Sequence, residues 1–277
     1  MNKKMPVLFL SHGSPMNVVL DNEYTRALIK LGQELEVPKA IIIISAHFKT
    51  KGTYLTYSEK PKQIYDFYGF PEEIYNIKYE PYGGKEYAEK IYNELKGEGV
   101  ELTDEWGLDH ASWGVLKYLY PNANIPTMEL SLNAELREEE HYKIGKKLAK
   151  FREEGMLIIG SGDIVHNLGV ASPDVYGKPY EWAEAFDNYV IDSIKKYNHK
   201  AILNYKSLGD ISKLAAPTDE HFLPIIYVAG AQEKDDKVEV IHKSIQNSSV
   251  SMSCIKIGWW QLKVNNLGRD SEASQFH

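Results

Sequence analysis

Four short apolar runs, rich in β-branched residues, each adjoin a histidine. Three of the runs lead to His12, His47 and His166, and the fourth follows His221. Runs of this kind are typical of strands buried on both faces, and in an open α/β sheet ligands bind just outside the carboxyl ends of the strands. Three of these histidines are therefore expected to face one crevice. Because neutral imidazole is the commonest metal ligand among side chains, the pattern predicts a metal site there.

The rest of the chain alternates between strand-like and helix-like patterns. Strands are predicted near residues 6–11, 40–46, 125–131, 156–161, 237–242 and 250–257. Helices are predicted near residues 22–36, 84–96, 112–119, 134–154, 179–197 and 222–232. This alternation predicts an α/β fold with a central, mostly parallel or mixed sheet covered by helices on both faces. We assign residues 1–264 to one catalytic domain and expect the polar, aperiodic stretch 265–277 to be a disordered tail.

A long segment without clear periodicity covers residues 50–81. It is rich in Tyr, Lys, Pro and Gly and includes the aromatic stretch 65–70. Long loops inside compact domains are often functional, so we predict a loop with brief strand pieces that acts as a lid over the crevice.

Charge and cysteine content exclude several classes of protein. The formal net charge is -7, and no Lys/Arg-rich stretch with interleaved aromatics occurs, so we expect no nucleic-acid partner but a small molecule. Cys254 is the only cysteine and alternates like a strand residue, which predicts a packing role. The charged N-terminus precedes only a brief apolar stretch, so we expect neither a signal peptide nor a membrane anchor, and a cytoplasmic location.

The nine histidines differ in their sequence context. Gly13-Ser14-Pro15 follows His12, a turn that lets the backbone approach a ligand closely. His47 ends the most apolar strand, where an imidazole without a partner would be costly to bury. Polar contexts predict structural or exposed roles for His141, His199, His242 and His277.

His110 stands between two Trp-Gly pairs in the segment 106–114. It either caps a helix that begins near Ala111 or faces the metal as an acid or hydrogen-bond donor. The glycines of segment 160–167 are not followed by Lys-Ser/Thr, so this segment is not a phosphate-binding P-loop.

Five motifs together carry a resemblance to a known family. They are His12–Asn17, Ser45–His47, Trp106–Gly114, Gly160–Leu168 and Pro217–Pro224. In this order they resemble the class III extradiol ring-cleavage dioxygenases and, within them, the 4,5-DOPA extradiol dioxygenase family. The resemblance extends from about Pro6 to Gly258.

The resemblance implies a mechanism and a set of site residues. Extradiol enzymes bind a catechol and O₂ at Fe(II), and three protein ligands leave the necessary positions open. By motif, His12, His47 and His221 are the implied ligands. His166 corresponds to the base that removes a catechol proton, or to a fourth ligand in a resting or zinc-bound form. His110 corresponds to a second histidine beside the oxygen site. Fe(II) is implied for the active form, and Zn(II) is possible in the isolated protein.

The last motif departs from the broader superfamily, which usually completes its ligand set with a carboxylate. Here Glu220 directly precedes His221. Adjacent residues in a first helical turn diverge by about 100°, so only one of them can face the metal. We favour His221.

Two other functions are compatible with the same residues. A zinc-dependent hydrolase would use these histidines with Asp163 or Glu220 as general base. A non-enzymatic relative would keep the fold as a protein-interaction module. The aromatic stretch 65–70 and the acidic surface suit a flat substrate with an amine, such as DOPA, but the sequence leaves the physiological catechol and the oligomeric state open.

Overall fold

The structure is a computed structural model that describes residues 4–258. Its strands are β1 (Val7–Ser11), β2 (Ala40–Thr50), β3 (Thr53–Thr56), β4 (Val100–Thr103), β5 (Thr127–Asn133), β6 (Met156–Gly162), β7 (Lys237–His242), β8 (Ile245–Gln246), β9 (Val250–Ser251) and β10 (Cys254–Gly258). Its helices are α1 (Glu23–Glu34), α2 (Glu72–Tyr75), α3 (Lys85–Leu95), α4 (His110–Leu119), α5 (Glu138–Leu148), α6 (Glu181–Lys195), α7 (His199–Leu203), α8 (Asp210–Ala215) and α9 (Leu223–Ala231). No helix within residues 4–258 is long and apolar enough to cross a membrane.

Eight strands form one mixed sheet in the order β4-β3-β5-β2-β6-β1-β10-β7. The central strands β5, β2, β6 and β1 are mutually parallel, so their carboxyl ends meet at one edge. At the two sides, β3 is antiparallel to β5, and β10 is antiparallel to β1 and β7. The predicted α/β fold with a mixed, helix-covered sheet is confirmed.

Both faces of the sheet are buried, as the apolar runs predicted. Along β1, Val7 and Phe9 pack into the core beneath α3, α5, α6 and α9, whereas Leu8 and Leu10 pack into the core beneath α1 and α4. The parallel strands β1, β2 and β6 each contribute alternate side chains to two separate cores, which keeps the strand ends in a defined position.

The short elements differ most from the sequence-based prediction. The pattern did not predict β4, α7 or α8, and the predicted strand 250–257 is two strands, β9 and β10. The predicted helix 134–154 begins only at Glu138 and ends at Leu148. These elements are short, and β4 obtains its backbone partners only by pairing with β3, which local periodicity does not reveal. The predicted tail 265–277 lies outside the described residues.

Two glycines let α9 lie directly on β6. A Cβ atom on Gly160 would lie 2.6 Å from the Pro224 carbonyl oxygen, and one on Gly162 would lie 2.2 Å from the His221 carbonyl oxygen. Only glycine permits so close an approach of helix and strand backbones. The packing places His221, just before α9, at the carboxyl edge of the sheet.

Candidate metal centre

The structure brings all five predicted site histidines to the carboxyl edge of the sheet. His12 directly follows β1, and His166 lies in the loop after β6. His110 is the first residue of α4, and His221 lies two residues before α9.

A break in strand pairing sets the position of His47. The β2–β5 register skips from the Ile44–Leu130 pair to the Lys49–Leu132 pair, so His47 lies in an irregular stretch inside β2. Such bulges re-aim side chains and often occur beside active sites. The apolar pattern predicted that this strand ends at about His47, whereas it continues to Thr50.

The rings of the three predicted ligands form a nearly equilateral triangle. The ring centroids of His12 and His47 are 5.1 Å apart, those of His12 and His221 are 5.3 Å apart, and those of His47 and His221 are 5.1 Å apart. His110 lies 4.3 Å from His47 by the same measure, and His166 stacks on His221 at 3.6 Å with an interplanar angle of 8°.

Hydrogen bonds define which nitrogen of His12 carries the proton. Its Nδ1 lies 3.2 Å from Ser161 Oγ, and that hydroxyl donates its own hydrogen to the Ala111 carbonyl at 2.6 Å. Ser161 Oγ can therefore only accept from His12, so the hydrogen is on Nδ1 and the Nε2 lone pair is free. Burial, together with the neighbouring histidines, lowers the pKa of His12 well below its usual value, which favours this neutral form.

The free Nε2 atom of His12 faces the Nε2 atom of His47 at 3.2 Å. His47 Nδ1 lies 2.9 Å from Asp66 Oδ2, and a carboxylate accepts hydrogen bonds, so the Nδ1 atom of His47 also carries a proton. Burial lowers the pKa of His47, but the hydrogen bond to Asp66 and the charge of Asp109 raise it more, and the net pKa is raised. Two bare nitrogens this close would repel each other, and either a proton on one of them or a metal ion between them removes the repulsion.

These residues fit a divalent metal ion. Two nitrogens bound at about 2.1 Å to one metal lie about 3.0–3.4 Å apart, which includes the observed separation of the two Nε2 atoms. The Asp163 Oδ2 atom is buried, has no hydrogen-bond partner and lies 3.8 Å from His12 Nε2. Burial raises the pKa of Asp163 to about 7. A cation would give this orphaned oxygen a favourable partner.

Among residues 4–258, two groups of three residues each hold their potential ligand atoms within 4.8 Å of one another, and both groups include His12. One group adds His47 and His110, and the other adds Asp163 and His221. Sequence reasoning treated Asp163 only as a possible hydrolase base. Asp163 could have been predicted as a candidate ligand from its position directly after β6, at the same edge of the sheet as the histidines.

Glu220 points away from the triangle of histidine rings. Its carboxylate accepts hydrogen bonds from Lys49 Nζ at 3.3 Å and from the Thr218 hydroxyl at 2.6 Å. It lies 3.4 Å from His221 Nδ1, on the side of that ring opposite to Nε2. Burial raises the pKa of Glu220, but its hydrogen bonds with His221 and Thr218 hold the net pKa below the usual value.

His166 is held differently from the other histidines. Its backbone amide donates to the Ala215 carbonyl, and its ring lies flat against the ring of His221. Burial and the neighbouring histidines lower the pKa of His166 to about 3, so the ring is neutral. Among residues 4–258, neither group of potential ligand atoms includes it.

The helix-capping alternative for His110 is wrong. The N-cap of α4 is Asp109, whose carboxylate accepts from the Ser112 amide, and the helix begins at His110 rather than near Ala111. The His110 ring instead contacts Asp66, with Nδ1 2.9 Å from Oδ2, and its ring edge meets Phe67. Sequence reasoning missed Asp66, although it lies in the aromatic stretch 65–70.

Three other histidines lie outside the centre and have structural partners. His141 contacts the Tyr227 hydroxyl, His199 bridges Tyr142 and Gln232, and His242 contacts Ser244. His277 lies outside the described residues. Cys254 is buried, as its strand-like context predicted.

The fold and the histidine centre define a metal-dependent α/β enzyme, and comparisons with known proteins identify its family. Residues 6–257 match the LigB family, described as the catalytic LigB subunit of aromatic ring-opening dioxygenase. The chain belongs to this family and is an extradiol ring-cleaving dioxygenase, an oxidoreductase. The zinc hydrolase and the interaction module are not favoured.

Individual relatives cover nearly the whole chain. It is 40% identical over 259 residues to the 4,5-DOPA dioxygenase extradiol of Escherichia coli (strain K12), covering 92% of this chain and 95% of the relative. It is 35% identical over 254 residues to the 4,5-DOPA dioxygenase extradiol of Beta vulgaris, covering 90% of this chain and 94% of the relative. The crystal structure of an uncharacterized Escherichia coli K12 protein superposes with a TM-score of 0.81 at 37% identity, covering 92% of this chain and all of the other.

Proposed function

We propose that His12, His47 and His221 hold a single Fe(II) ion and that the enzyme opens the ring of a DOPA-like catechol with O₂. The observation that carries the ligand assignment is the pair of facing Nε2 atoms 3.2 Å apart, each on a ring whose Nδ1 hydrogen is already committed. When bound, ferrous iron supplies the positions at which both catechol oxygens and O₂ meet. Zn(II) fits the same nitrogen ligands and is expected in protein isolated in air.

His166 is the proposed general base. A base must be unprotonated before it acts, and burial, which lowers the pKa of His166, keeps this ring neutral. Stacking on His221 holds the ring in one orientation beside a proposed ligand. A catechol hydroxyl that enters this space would transfer its proton to the imidazole.

His110 is the proposed acid or hydrogen-bond donor on the opposite side of the site. Its ring lies 4.3 Å from that of His47, and its Nδ1 atom lies 2.9 Å from Asp66 Oδ2. With Nδ1 held by the carboxylate, Nε2 is the atom that can exchange a proton or a hydrogen bond with a bound ligand.

Charged groups at the rim support an amino-acid-like catechol. Lys49 Nζ lies 2.7 Å from Asp219 and 3.3 Å from Glu220, and the Glu220 carboxylate lies 3.4 Å from Nδ1 of the proposed ligand His221. The rim thus presents both an ammonium group and carboxylates, which suits a zwitterionic substrate. The relatives named as 4,5-DOPA dioxygenases agree with this class.

The predicted cytoplasmic location is part of this proposal. A reducing compartment suits ferrous iron and a single cysteine without a disulfide partner. We expect no nucleic-acid or membrane partner, in agreement with the net charge of -7.

Anaerobic loading of apoprotein with Fe(II), followed by O₂ uptake with a panel of catechols, tests the substrate and the metal. L-DOPA, dopamine, protocatechuate and caffeate separate the contributions of the amine and the carboxylate. We expect ring opening only with Fe(II), fastest with L-DOPA, and one O₂ consumed per catechol. Equal turnover of all four catechols would refute the DOPA-like assignment, and activity with Zn(II) but without O₂ uptake would refute the iron assignment.

Iron analysis of single variants tests the ligands. His12→Ala, His47→Ala and His221→Ala should each abolish stoichiometric iron binding, because two imidazoles hold ferrous iron poorly. His242→Ala, which lies outside the centre, is the matched control and should bind iron as the parent does. Full iron content in the His47→Ala protein would refute the assignment of that residue.

A further inference from the structure

Asp66 contacts two histidines of the centre with one carboxylate. We infer that Asp66 is a positioning residue that fixes the protonated nitrogen of both His47 and His110 and so aims both Nε2 atoms at the same point. The consequence for catalysis rests on the proposed function, in which His47 is a ligand and His110 a proton donor.

Three N–H groups converge on this carboxylate. His47 Nδ1 lies 2.9 Å from Oδ2, and His110 Nδ1 lies 2.9 Å from Oδ2 and 3.0 Å from Oδ1. The backbone amide of His110 donates to Oδ1 at 2.9 Å. An ionised carboxylate only accepts hydrogen bonds, so both rings must carry a proton on Nδ1.

The charge state of Asp66 agrees with this arrangement. Every ring atom that contacts Asp66 is an imidazole nitrogen, which is a stronger base than a carboxylate, so a shared hydrogen stays on the ring. The carboxylate is therefore ionised and available as an acceptor to both rings. A hydrogen bond from a carboxylate to the distal nitrogen of a metal-binding histidine fixes the ring and increases its basicity.

The surrounding loop holds Asp66 in place from both sides. The Trp113 indole donates to the Ile64 carbonyl at 2.9 Å, and the Tyr65 hydroxyl donates to the Ile77 carbonyl at 2.7 Å. On the other side, Phe67 packs edge-to-face on His110. The segment 64–67 is thus anchored, and it contributes a residue to the centre in addition to the covering role expected from its composition.

Asparagine is the sharpest substitution because it keeps the shape of the side chain and changes the hydrogen-bond pattern. Its amide offers one acceptor oxygen and one donor nitrogen, whereas the parent carboxylate accepts from both rings. The His110 backbone amide is always a donor, so in Asp66→Asn the amide oxygen takes the Oδ1 position and the NH₂ group takes the Oδ2 position, which faces Nδ1 of His47. The His47 ring must then leave Nδ1 bare and carry its proton on Nε2, where it blocks the lone pair directed at the centre.

Long-range ¹H–¹⁵N spectra of metal-free, ¹⁵N-histidine-labelled protein test the inference directly. In the parent we expect a proton on Nδ1 of both His47 and His110, with signals assigned by His→Gln variants at these positions. A bare Nδ1 on either parent ring would overturn the inference, even if every Asp66 variant failed to fold. In Asp66→Asn, the His47 ring should move its proton to Nε2.

Metal affinity supplies the second readout. Titration with Zn(II) should show that Asp66→Asn binds about 10–100-fold more weakly than the parent. Glu72→Gln removes one carboxylate from an exposed position nearby in sequence, at the start of α2, and should bind as the parent does. Unchanged tautomers and unchanged affinity in folded Asp66→Asn would refute the positioning role. The spectra need neither iron nor a catechol, so this result is independent of whether the proposed reaction is correct.

Discussion

The contact between Gly162 and His221 predicts that one added methyl group will disturb the metal centre. A Cβ atom at position 162 would lie 2.2 Å from the His221 carbonyl oxygen and 3.0 Å from Pro224 Cγ. Real Cβ contacts are essentially never shorter than 3.0 Å, so the His221 backbone must retreat by roughly 1 Å in Gly162→Ala. The same carbonyl accepts from the Asp163 amide at 2.9 Å, so the movement also weakens that hydrogen bond.

The size of the effect follows from these two contacts. Overpacking costs about 1–3 kcal/mol, and a weakened backbone hydrogen bond costs about 0.5–1.5 kcal/mol. We expect Gly162→Ala to be about 2–4 kcal/mol less stable, which lowers the melting temperature by about 4–16 °C at this chain length. A displacement of roughly 1 Å at a proposed ligand should also reduce turnover by about 10²-fold.

Thermal unfolding of the metal-free protein and O₂ uptake with Fe(II) and L-DOPA measure the two effects. Gly97→Ala is the control, because a Cβ atom there meets no atom within 4 Å. It should unfold and turn over as the parent does. If Gly162→Ala has the melting temperature and turnover of the parent, the backbone contact does not position His221 and the reasoning is wrong.

Three further predictions concern the base, the ligand at the last motif and the core. His166→Ala should keep most of its iron, measured by metal analysis, while its turnover, measured by O₂ uptake, falls roughly 10²–10⁴-fold. A parallel loss of iron and turnover would instead make His166 a ligand. Glu220→Gln should load iron like the parent and His221→Gln should not, and the reverse result would assign a carboxylate ligand. Asp236→Ala leaves the buried Arg152 guanidinium without the carboxylate that lies 2.6 Å from it. Urea unfolding should therefore show that the free energy of unfolding falls by about 3–5 kcal/mol, and an unchanged unfolding midpoint would contradict this.

Local sequence patterns determined the framework of the site. The runs that lead to His12 and His166 begin with four consecutive apolar residues, so burial on both faces and a central position in the sheet followed from composition, and the two strands are buried at every residue. Because parallel strands present their carboxyl ends at one edge, the convergence of these histidines was also predictable. The motifs that resemble the extradiol dioxygenases then predicted the family.

Only the tertiary structure decided how those side chains are oriented. Asp66 reaches His47 and His110 because the loop folds back across α4, a contact between residues distant in sequence that no local period encodes. The same applies to Glu220, whose carboxylate is bound by Lys49 of β2, a residue distant in sequence. Periodicity reports which face of an element is buried, whereas proton positions and ligand directions depend on hydrogen-bond partners supplied by other parts of the chain.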